Sequence, residues 1–566
     1  METERPWLKW YQPGVPYDIE PPTDSLYSLL EAAVREAPND VATQFFGATM
    51  TYAEIGEQVE RVAAGLKRLG VKAGDRVALV LPNCPQHIVA FYAVLRLRAV
   101  VVEHNPLYTA RELRHMFEDH AARIAICWDA AVEKLQEQPS DIKLEKIISV
   151  NLLDAMPSNL RFALGVPIPK LRKLRAKLTR PAHGAFPWGK LLENAPIEEW
   201  EPKPKVDDLA VIIYTSGTTS LPKGAMLTHR SLYSNALQGE AWMLGAQQRK
   251  EVFYAILPFF HAFGLTLFLT FGVMKQARLV LFPTFDAQMT ISVAKKNPPS
   301  VVAAVPPIFE KLAEVSKEKH VSLENAKYCI SGAMSLPLAT IEAWEEVAGG
   351  LLIEGYGMTE ASPIIAGNPM YPTRRAGTIG VPFPSTYVRV VDPENPDQDV
   401  EQGEVGELLA KGPQIFCGYW NNSAATEATL LPGGWLRTGD LVRQDADGFL
   451  TIVDRVKEVI ITGGFNVSPS EVEAVLRSHP DVIDAAVVGL PAHSGGEKVA
   501  AAVVMREGVE LDEAEMRHFS RERLAAYKVP RTITALPSFP MSMLGKVLRK
   551  EVRAELLAKK TEEKQQ

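Results

Sequence analysis

The sequence predicts an α/β fold: a large, multi-layer N-terminal domain with mostly parallel sheets, then a small α+β C-terminal domain. Three observations lead there. At 566 residues the chain exceeds what one hydrophobic core usually serves, so at least two domains are expected. Through the first three-quarters, short apolar runs alternate with helix-like stretches, the order of helices layered on parallel sheets. Near Asp454 that order gives way to a compact unit of about a hundred residues, an ordinary small-domain size.

The elements justify this in order. RVALVLP (76–82) reads as a buried strand, HIVAFYAVLRL (87–97) as a helix and AVVVEHNP (99–106) as the next strand. ARIAICW (122–128) and KIISV (146–150) repeat the strand reading. Residues 155–192 hold no acidic residue and are rich in Pro, Lys and Arg, which suits an exposed loop or short helix. Beyond Asp454 come a strand-like EVIIT, a helix over about 470–478, strands at AAVVGL and KVAAAVVM, and a helix over about 512–526. The domains are therefore expected at 1–454 and 455–566.

Composition narrows the function classes. Hydrophobic residues make up 46% and charged residues 23%, an ordinary globular composition. A net charge of −7 gives no reason to expect nucleic acid as a partner. Cys84, Cys127, Cys329 and Cys417 lie far apart with no C-x-x-C pair, which argues against a zinc site or a disulfide framework and for a reducing cytoplasm. The polar, proline-rich N-terminus lacks the apolar core of a signal peptide. Val252 to Met274 has no Asp, Glu, Lys or Arg, but Pro258, His261 and Gly264 interrupt it, so it reads as buried core and not a membrane span.

VIIYTSGTTSLPKGAML (211–227) is the strongest local signal. An apolar strand runs into Thr215, Ser216, Gly217, Thr218 and Thr219, with Lys223 and Gly224 following. Hydroxyls and free backbone N–H groups can hold phosphate oxygens, Gly217 permits close approach, and Lys223 adds charge. The Walker pattern fails, because Pro222 precedes Lys223 and Gly224 follows it. By composition alone, a polar turn between two strands is an equal reading.

YTSGTTSLPKG resembles the phosphate loop of the adenylate-forming superfamily, which includes acyl-CoA synthetases, luciferases and peptide-synthetase adenylation domains; Ser220 stands where that family usually has Gly. The resemblance covers nearly the whole chain. NPLYTARELRH (105–115), TIGVPFPST (378–386), GPQIFCGYWN (412–421) and FNVSPSEVE make it most similar to bacterial long-chain fatty-acid–CoA ligases.

Site residues follow from the resemblance. LPFFHAFG (257–264) is similar to the aromatic motif beside the acyl pocket, which implies that His261 lies near the substrate carboxylate. SGAMSLP (331–337) implies Gly332 and Ala333 along the adenine and acyl groups. EGYGMTE (354–360) supplies Glu354, Gly355 and Tyr356 to the nucleotide, Thr359 to phosphate, and Glu360 with Thr215 to Mg²⁺ through oxygen. WLRTGD (435–440) gives Asp440, whose two carboxylate oxygens suit a vicinal diol, and Arg455 is the second ribose contact. Lys457 corresponds to a hinge that makes the small domain mobile. Gly463, Gly464 and Phe465 match the coenzyme A tunnel, while Ser468 and Glu471 also read as a helix cap. Lys546, after Gly545, matches the catalytic lysine, although Met541, Ser542, Met543 and Leu544 depart from the usual surroundings.

The implied activity uses ATP, Mg²⁺ and coenzyme A to convert a fatty acid, through acyl-AMP, to acyl-CoA. The alternatives are a medium-chain or aryl acid–CoA ligase, a fatty-acyl-AMP ligase that loads a carrier protein, and a non-catalytic acyl-binding component. No insertion near Pro382–Glu404 supports the carrier-loading class. Arg161, Lys170, Arg172, Lys173, Arg175, Lys177 and Arg180, with Leu171, Leu174 and Leu178 on one helical face, suggest peripheral contact with the inner face of the membrane through residues 161–180.

Overall fold

The computed structural model describes residues 5–215, 221–462, 465–491, 497–542 and 545–563. The chain packs as two compact units. One contains residues 8–387 and 411–436, the other residues 1–7, 388–410 and 437–566.

The larger unit holds two sheets. In the first, strands at 186–187, Lys146–Val150, Ile124–Trp128, Arg76–Val80, Val100–Glu103 and Leu209–Thr215 lie side by side in parallel, and Lys223–Thr228 closes the edge antiparallel. The second has nine strands. Its centre, from Leu352–Gly357 through Tyr328–Ser331, Val301–Ala304, Val252–Ala255 and Arg278–Leu281 to Val41–Phe45, is parallel. Strands buried on both faces read as near-continuous apolar runs, and Val100–Glu103 and Val301–Ala304 are buried throughout. The helix Pro85–Arg96 is buried at every residue, and proline at its first position suits the helix start.

The uncharged segment from Val252 is core, as expected: after its strand it turns through His261 into a buried π-helix, Leu265–Gly272. Among the described residues no helix is long and apolar enough to cross a membrane.

The smaller unit combines Val482–Pro491, Glu497–Met505 and Thr532–Ala535 in one sheet with helices Pro469–Arg477, Glu513–Arg521 and Arg549–Glu563. Ser468 caps the first helix, its hydroxyl accepting from the Glu471 N–H at 3.3 Å. The Glu471 carboxylate turns to Lys528 at 2.7 Å and does not complete a reciprocal box. Asp440 lies on Trp435–Gln444, opposite Arg455 on Leu450–Arg455.

The basic segment differs from the sequence expectation. It forms two helices, Ser158–Gly165 and Pro169–Ala176, and the second stops before Lys177. Leu178 is buried and its carbonyl accepts from the Trp128 indole at 2.8 Å, so the expected face of Leu171, Leu174 and Leu178 does not exist. A tertiary hydrogen bond and local burial prevail over the helical spacing.

Candidate active site

Thr215 stands opposite Lys223 across the phosphate-loop hairpin, and Tyr214 opposite Gly224. Ser216, Gly217, Thr218 and Thr219 lie outside the described residues. Residues 417–420 run beside the returning strand: Met226 donates to the Gly418 carbonyl at 2.9 Å, Cys417 to Met226 at 3.1 Å and Trp420 to Gly224 at 2.8 Å. Gly224 admits this approach, since a Cβ there would come 2.8 Å from Ile212 and 3.4 Å from Trp420. This segment carries Tyr419 to Lys223, whose Nζ sits 5.0 Å from the ring centroid.

The Tyr419 hydroxyl donates to Glu360 Oε1 at 2.6 Å, and the Phe416 N–H donates to the Glu360 carbonyl at 2.8 Å. Glu360 is only 6% exposed, in the turn Thr359–Ala361 that follows the strand Leu352–Gly357. Gly357 is required there, because a Cβ would come 2.0 Å from the Pro363 carbonyl oxygen. Burial first, and the Glu360 charge second, hold the Tyr419 phenol well above its ordinary pKa, so it remains a donor. Lys223 and Glu360 thus meet at one tyrosine, and Thr215 is paired with Lys223 on the neighbouring strand. Among the described residues no group of three His, Cys, Asp or Glu could cage a metal. A buried carboxylate with a threonine hydroxyl is the oxygen donor set expected where Mg²⁺ is shared with substrate phosphates, so these residues fit that ion.

An apolar cavity of about 520 Å³, counting its open mouth, borders this strand. Gly355 and Phe263 line one part, and Trp242, Met243, Phe271, Met370 and Phe383 line more of it. Trp242 is held from several sides. Its indole donates to the Asn368 carbonyl at 3.0 Å, its ring stacks on Phe383 with centroids 4.4 Å apart, and Tyr11 meets it edge-on at 5.0 Å.

His261, Gly332 and Ala333 stand next to the cavity-lining residues, not among them. His261 Nδ1 accepts from the Phe263 N–H at 3.4 Å, and burial pushes its pKa down to about 4, so the imidazole is neutral at pH 7. A Cβ on Gly332 would come 2.9 Å from the Phe263 ring, and Ala333 adopts a left-handed φ of 66°. Tyr356 is buried in the strand Leu352–Gly357. On the same strand, Glu354 accepts from the Leu336 N–H at 3.3 Å, and burial raises its pKa to about 7.

The smaller unit assembles a second group. Arg455 Nε lies 3.0 Å from Asp440 Oδ1 across adjacent strands. Gly439 takes a φ of 72°, and its N–H donates to buried Glu407 at 3.2 Å, while Thr438 donates to the Leu408 carbonyl at 2.8 Å. These bonds give WLRTGD its shape.

Lys546 sits in a turn in which its N–H donates to Ser542 Oγ at 3.0 Å and Ser542 donates back to its carbonyl at 2.7 Å. Burial, then Arg455, lowers the Lys546 pKa, opposed by Glu458 and Asp440. Arg549, three residues on, forks onto Glu473 with two contacts of 2.8 Å and also pairs with Glu458. Asp454 accepts from Ser468 Oγ at 2.5 Å and from the Ser470 N–H at 3.1 Å. Lys457 is exposed in the turn after Arg455. Gly463 and Gly464 lie outside the described residues; Phe465 opens the strand Phe465–Val467, and its side chain is likewise outside them.

Sequence reasoning missed the roles of Tyr419, Trp242 and the Glu458–Arg549–Glu473 clamp. The signal for Tyr419 was present, in the aromatic stretch GPQIFCGYWN that carried part of the resemblance.

The buried Glu360 carboxylate with Tyr419 and Lys223, and the apolar cavity bordering Gly355, suit a nucleotide-dependent enzyme of acyl groups, and the chain belongs to the AMP-binding enzyme family. The family model matches residues 30–420, and the model for the AMP-binding enzyme C-terminal domain matches residues 471–546. The chain is 34% identical over 560 residues to a long-chain-fatty-acid–CoA ligase of Bacillus subtilis (strain 168), covering 98% of this chain and 99% of that protein. Among solved structures it is similar to ATP-bound MatB from Rhodopseudomonas palustris, with a TM-score of 0.78, 27% identity, and 94% and 99% of the two chains covered. It is also similar to the anthranilate CoA ligase AuaEII in complex with anthranoyl-AMP, with a TM-score of 0.79, 26% identity, and 95% and 99% covered.

Proposed function

We propose that this chain is a long-chain fatty-acid–CoA ligase, forming acyl-CoA, AMP and pyrophosphate from a fatty acid, ATP and coenzyme A. One observation carries the reading: an apolar cavity borders Gly355, the residue before Tyr356 of the nucleotide motif. A hydrocarbon chain there would bring its carboxylate toward the phosphates. Similarity to the Bacillus subtilis long-chain-fatty-acid–CoA ligase supports the chain length.

A carboxylate is a poor acylating agent, because its leaving group would be oxide. Its oxygen attacks the α-phosphorus of ATP, a C(O)–O–P linkage forms, and the bond to pyrophosphate breaks. Negative charge on the phosphate oxygens is met by Lys223 and Lys546, and by the hydroxyls of Thr215, Ser216, Thr218, Thr219 and Thr359, with Gly217 giving the backbone room. One well-aimed contact contributes about 3 kcal/mol, roughly a hundredfold in rate. Mg²⁺, held by Glu360 and Thr215, supplies charge neutralisation when bound. Tyr356, with Glu354 and Gly355, holds adenine, and Asp440 with Arg455 holds the ribose.

In the second step the coenzyme A thiol, lining up past Gly463, Gly464 and Phe465, attacks the acyl carbonyl and AMP leaves. Lys546 and coenzyme A need the same face of the site. Residues 455–566 therefore turn as a domain about Lys457 against residues 1–454 between the steps. On this reading the enzyme works in the cytoplasm and touches the inner face of the membrane through residues 161–180.

A panel of acids from short to long chain, with aryl acids, tests the reading through AMP formed with coenzyme A. Long-chain acids should react fastest. Highest activity on a medium-chain or aryl acid would reject the chain-length assignment. Pyrophosphate release with carrier protein but no thioester on coenzyme A would indicate an acyl-AMP ligase, and no release at all would leave a non-catalytic acyl-binding protein.

A further inference from the structure

A closed ring of four residues ties the phosphate-loop hairpin to its neighbours. Tyr214 stands opposite Gly224 across the hairpin. The Gly224 carbonyl accepts from the Trp420 N–H at 2.8 Å. The Trp420 indole donates to the Asp119 carbonyl at 3.1 Å, and the Asp119 carboxylate accepts from the Tyr214 hydroxyl at 2.7 Å. Three members of this ring adjoin site residues in the chain. Thr215 follows Tyr214, Lys223 precedes Gly224, and Tyr419 precedes Trp420.

Asp119 is the fourth member, and it belongs to none of the sequence motifs that carried the resemblance. It sits in the last turn of the helix Ala110–His120. A carboxylate at that end is opposed by the helix dipole. Here donors from two distant segments satisfy it, because Asn421 adds contacts of 3.0 Å to its carbonyl and 3.3 Å to its carboxylate. Arg76 supplies a second brace. Its Nε donates to the His120 carbonyl at 2.8 Å, and its guanidinium lies 5.3 Å from the Trp420 ring centroid. Tyr214 is buried, and burial, then the bond to Asp119, holds its phenol well above its ordinary pKa, so it stays a donor.

We propose that Asp119 is a positioning residue for the nucleotide. It sets the spacing between the end of the strand Leu209–Thr215 and the segment that carries Tyr419, and through them the places of Thr215, Lys223 and Glu360. The inference rests on the nucleotide roles proposed above for those three residues. Asp119 acts on ATP only through the ring. Loosening one member lets the two arms shift against each other, and a misplacement of about 1 Å can cost on the order of a hundredfold in rate. The effect is confined to the half-reaction that uses Mg²⁺ and the β- and γ-phosphates. Attack of coenzyme A on the acyl-adenylate uses neither.

Full-length protein is titrated with Mg²⁺–ATP in a calorimeter, and pyrophosphate release and thioester formation from supplied acyl-adenylate are measured separately. Asp119→Ala should raise the Kd for Mg²⁺–ATP, and the Mg²⁺ concentration for half-maximal pyrophosphate release, about tenfold each. Its thioester formation from supplied acyl-adenylate should match that of the unaltered protein. Asp119→Asn keeps an acceptor for the Tyr214 hydroxyl and should lie within about threefold of the unaltered values. Tyr214→Phe removes the donor from the other side and should reproduce the loss in Asp119→Ala. Added to Tyr419→Phe, Asp119→Ala should cost less than the product of the two separate losses, because both act on one segment. Unchanged Mg²⁺–ATP binding, equal losses in both half-reactions, or strictly multiplicative losses in the double variant overturn the proposal. If Asp119→Ala does not fold, Tyr214→Phe decides by the same measures. Mg²⁺–ATP binding by the unaltered protein without pyrophosphate release from any acid rejects the ligase reading alone, since the calorimetric comparison still decides the role of Asp119. No binding of Mg²⁺–ATP at all overturns both.

Discussion

The Tyr419 hydroxyl donates to Glu360 at 2.6 Å while its ring carries the Lys223 ammonium at 5.0 Å. One side chain thereby touches both Lys223, the proposed phosphate contact, and Glu360, the proposed Mg²⁺ ligand. Tyr419→Phe keeps the ring and removes the hydrogen bond. A hydrogen bond to a charged group contributes about 1.5–3 kcal/mol, so adenylation should slow roughly 10- to 100-fold. The Mg²⁺ concentration needed for half-maximal pyrophosphate release should rise. An unchanged Mg²⁺ dependence would show that Tyr419 does not position Glu360.

Lys546→Ala should nearly abolish acyl-adenylate formation and spare thioester formation from supplied acyl-adenylate. Its side chain shares the surroundings of Asp440 and Arg455, the proposed ribose contacts. Pyrophosphate release and thioester yield, measured separately, decide the point. Equal loss of both half-reactions would contradict the assigned role.

Lys457→Pro should act oppositely. Proline fixes φ near −65° and removes a donor, so a rotation about this residue would stall. Because Lys457 is exposed in its turn, adenylation should persist while thioester formation drops at least tenfold, an estimate in line with a gating step. Normal thioester rates would move the hinge elsewhere.

Trp242→Ala should lengthen the cavity and shift preference toward longer acids, because the indole lines it and is braced by Phe383, Tyr11 and Asn368. Removing a buried aromatic costs about 3–5 kcal/mol of stability, so thermal melting must be followed in parallel. A chain-length profile identical to that of the unaltered enzyme would show that Trp242 does not bound the acyl site.

Glu354 gives a pH signature. Burial raises its folded pKa from 4.5 to about 7, so the folded state keeps a proton that the unfolded state releases. Its contribution to stability is complete below the unfolded value and is lost as pH rises through the folded one. Glu354→Gln removes this loss. Relative to the unaltered protein, the variant should gain in melting temperature as pH goes from 5 to 8, and an equal difference at both ends would show that Glu354 is ionised throughout.

Much of the fold was legible in the chain. Lys146–Val150 is the strand that KIISV suggested, and Ser468 caps its helix as its spacing suggested, because apolar periodicity and capping act within a few residues. The motifs that hold Thr215, Glu360, Asp440 and Lys546 are likewise short local patterns, as is the long run without acidic residues that marks 155–192. Tertiary structure decided what depends on distant partners. Glu360 meets Tyr419 across 59 positions, and Arg549 meets Glu458 across 91. No local pattern encodes such pairs, since chain folding alone selects which side chain fills the space beside a buried carboxylate. The same reason accounts for Leu178, which helical spacing assigned to an open face and which the Trp128 indole and the neighbouring core draw inside.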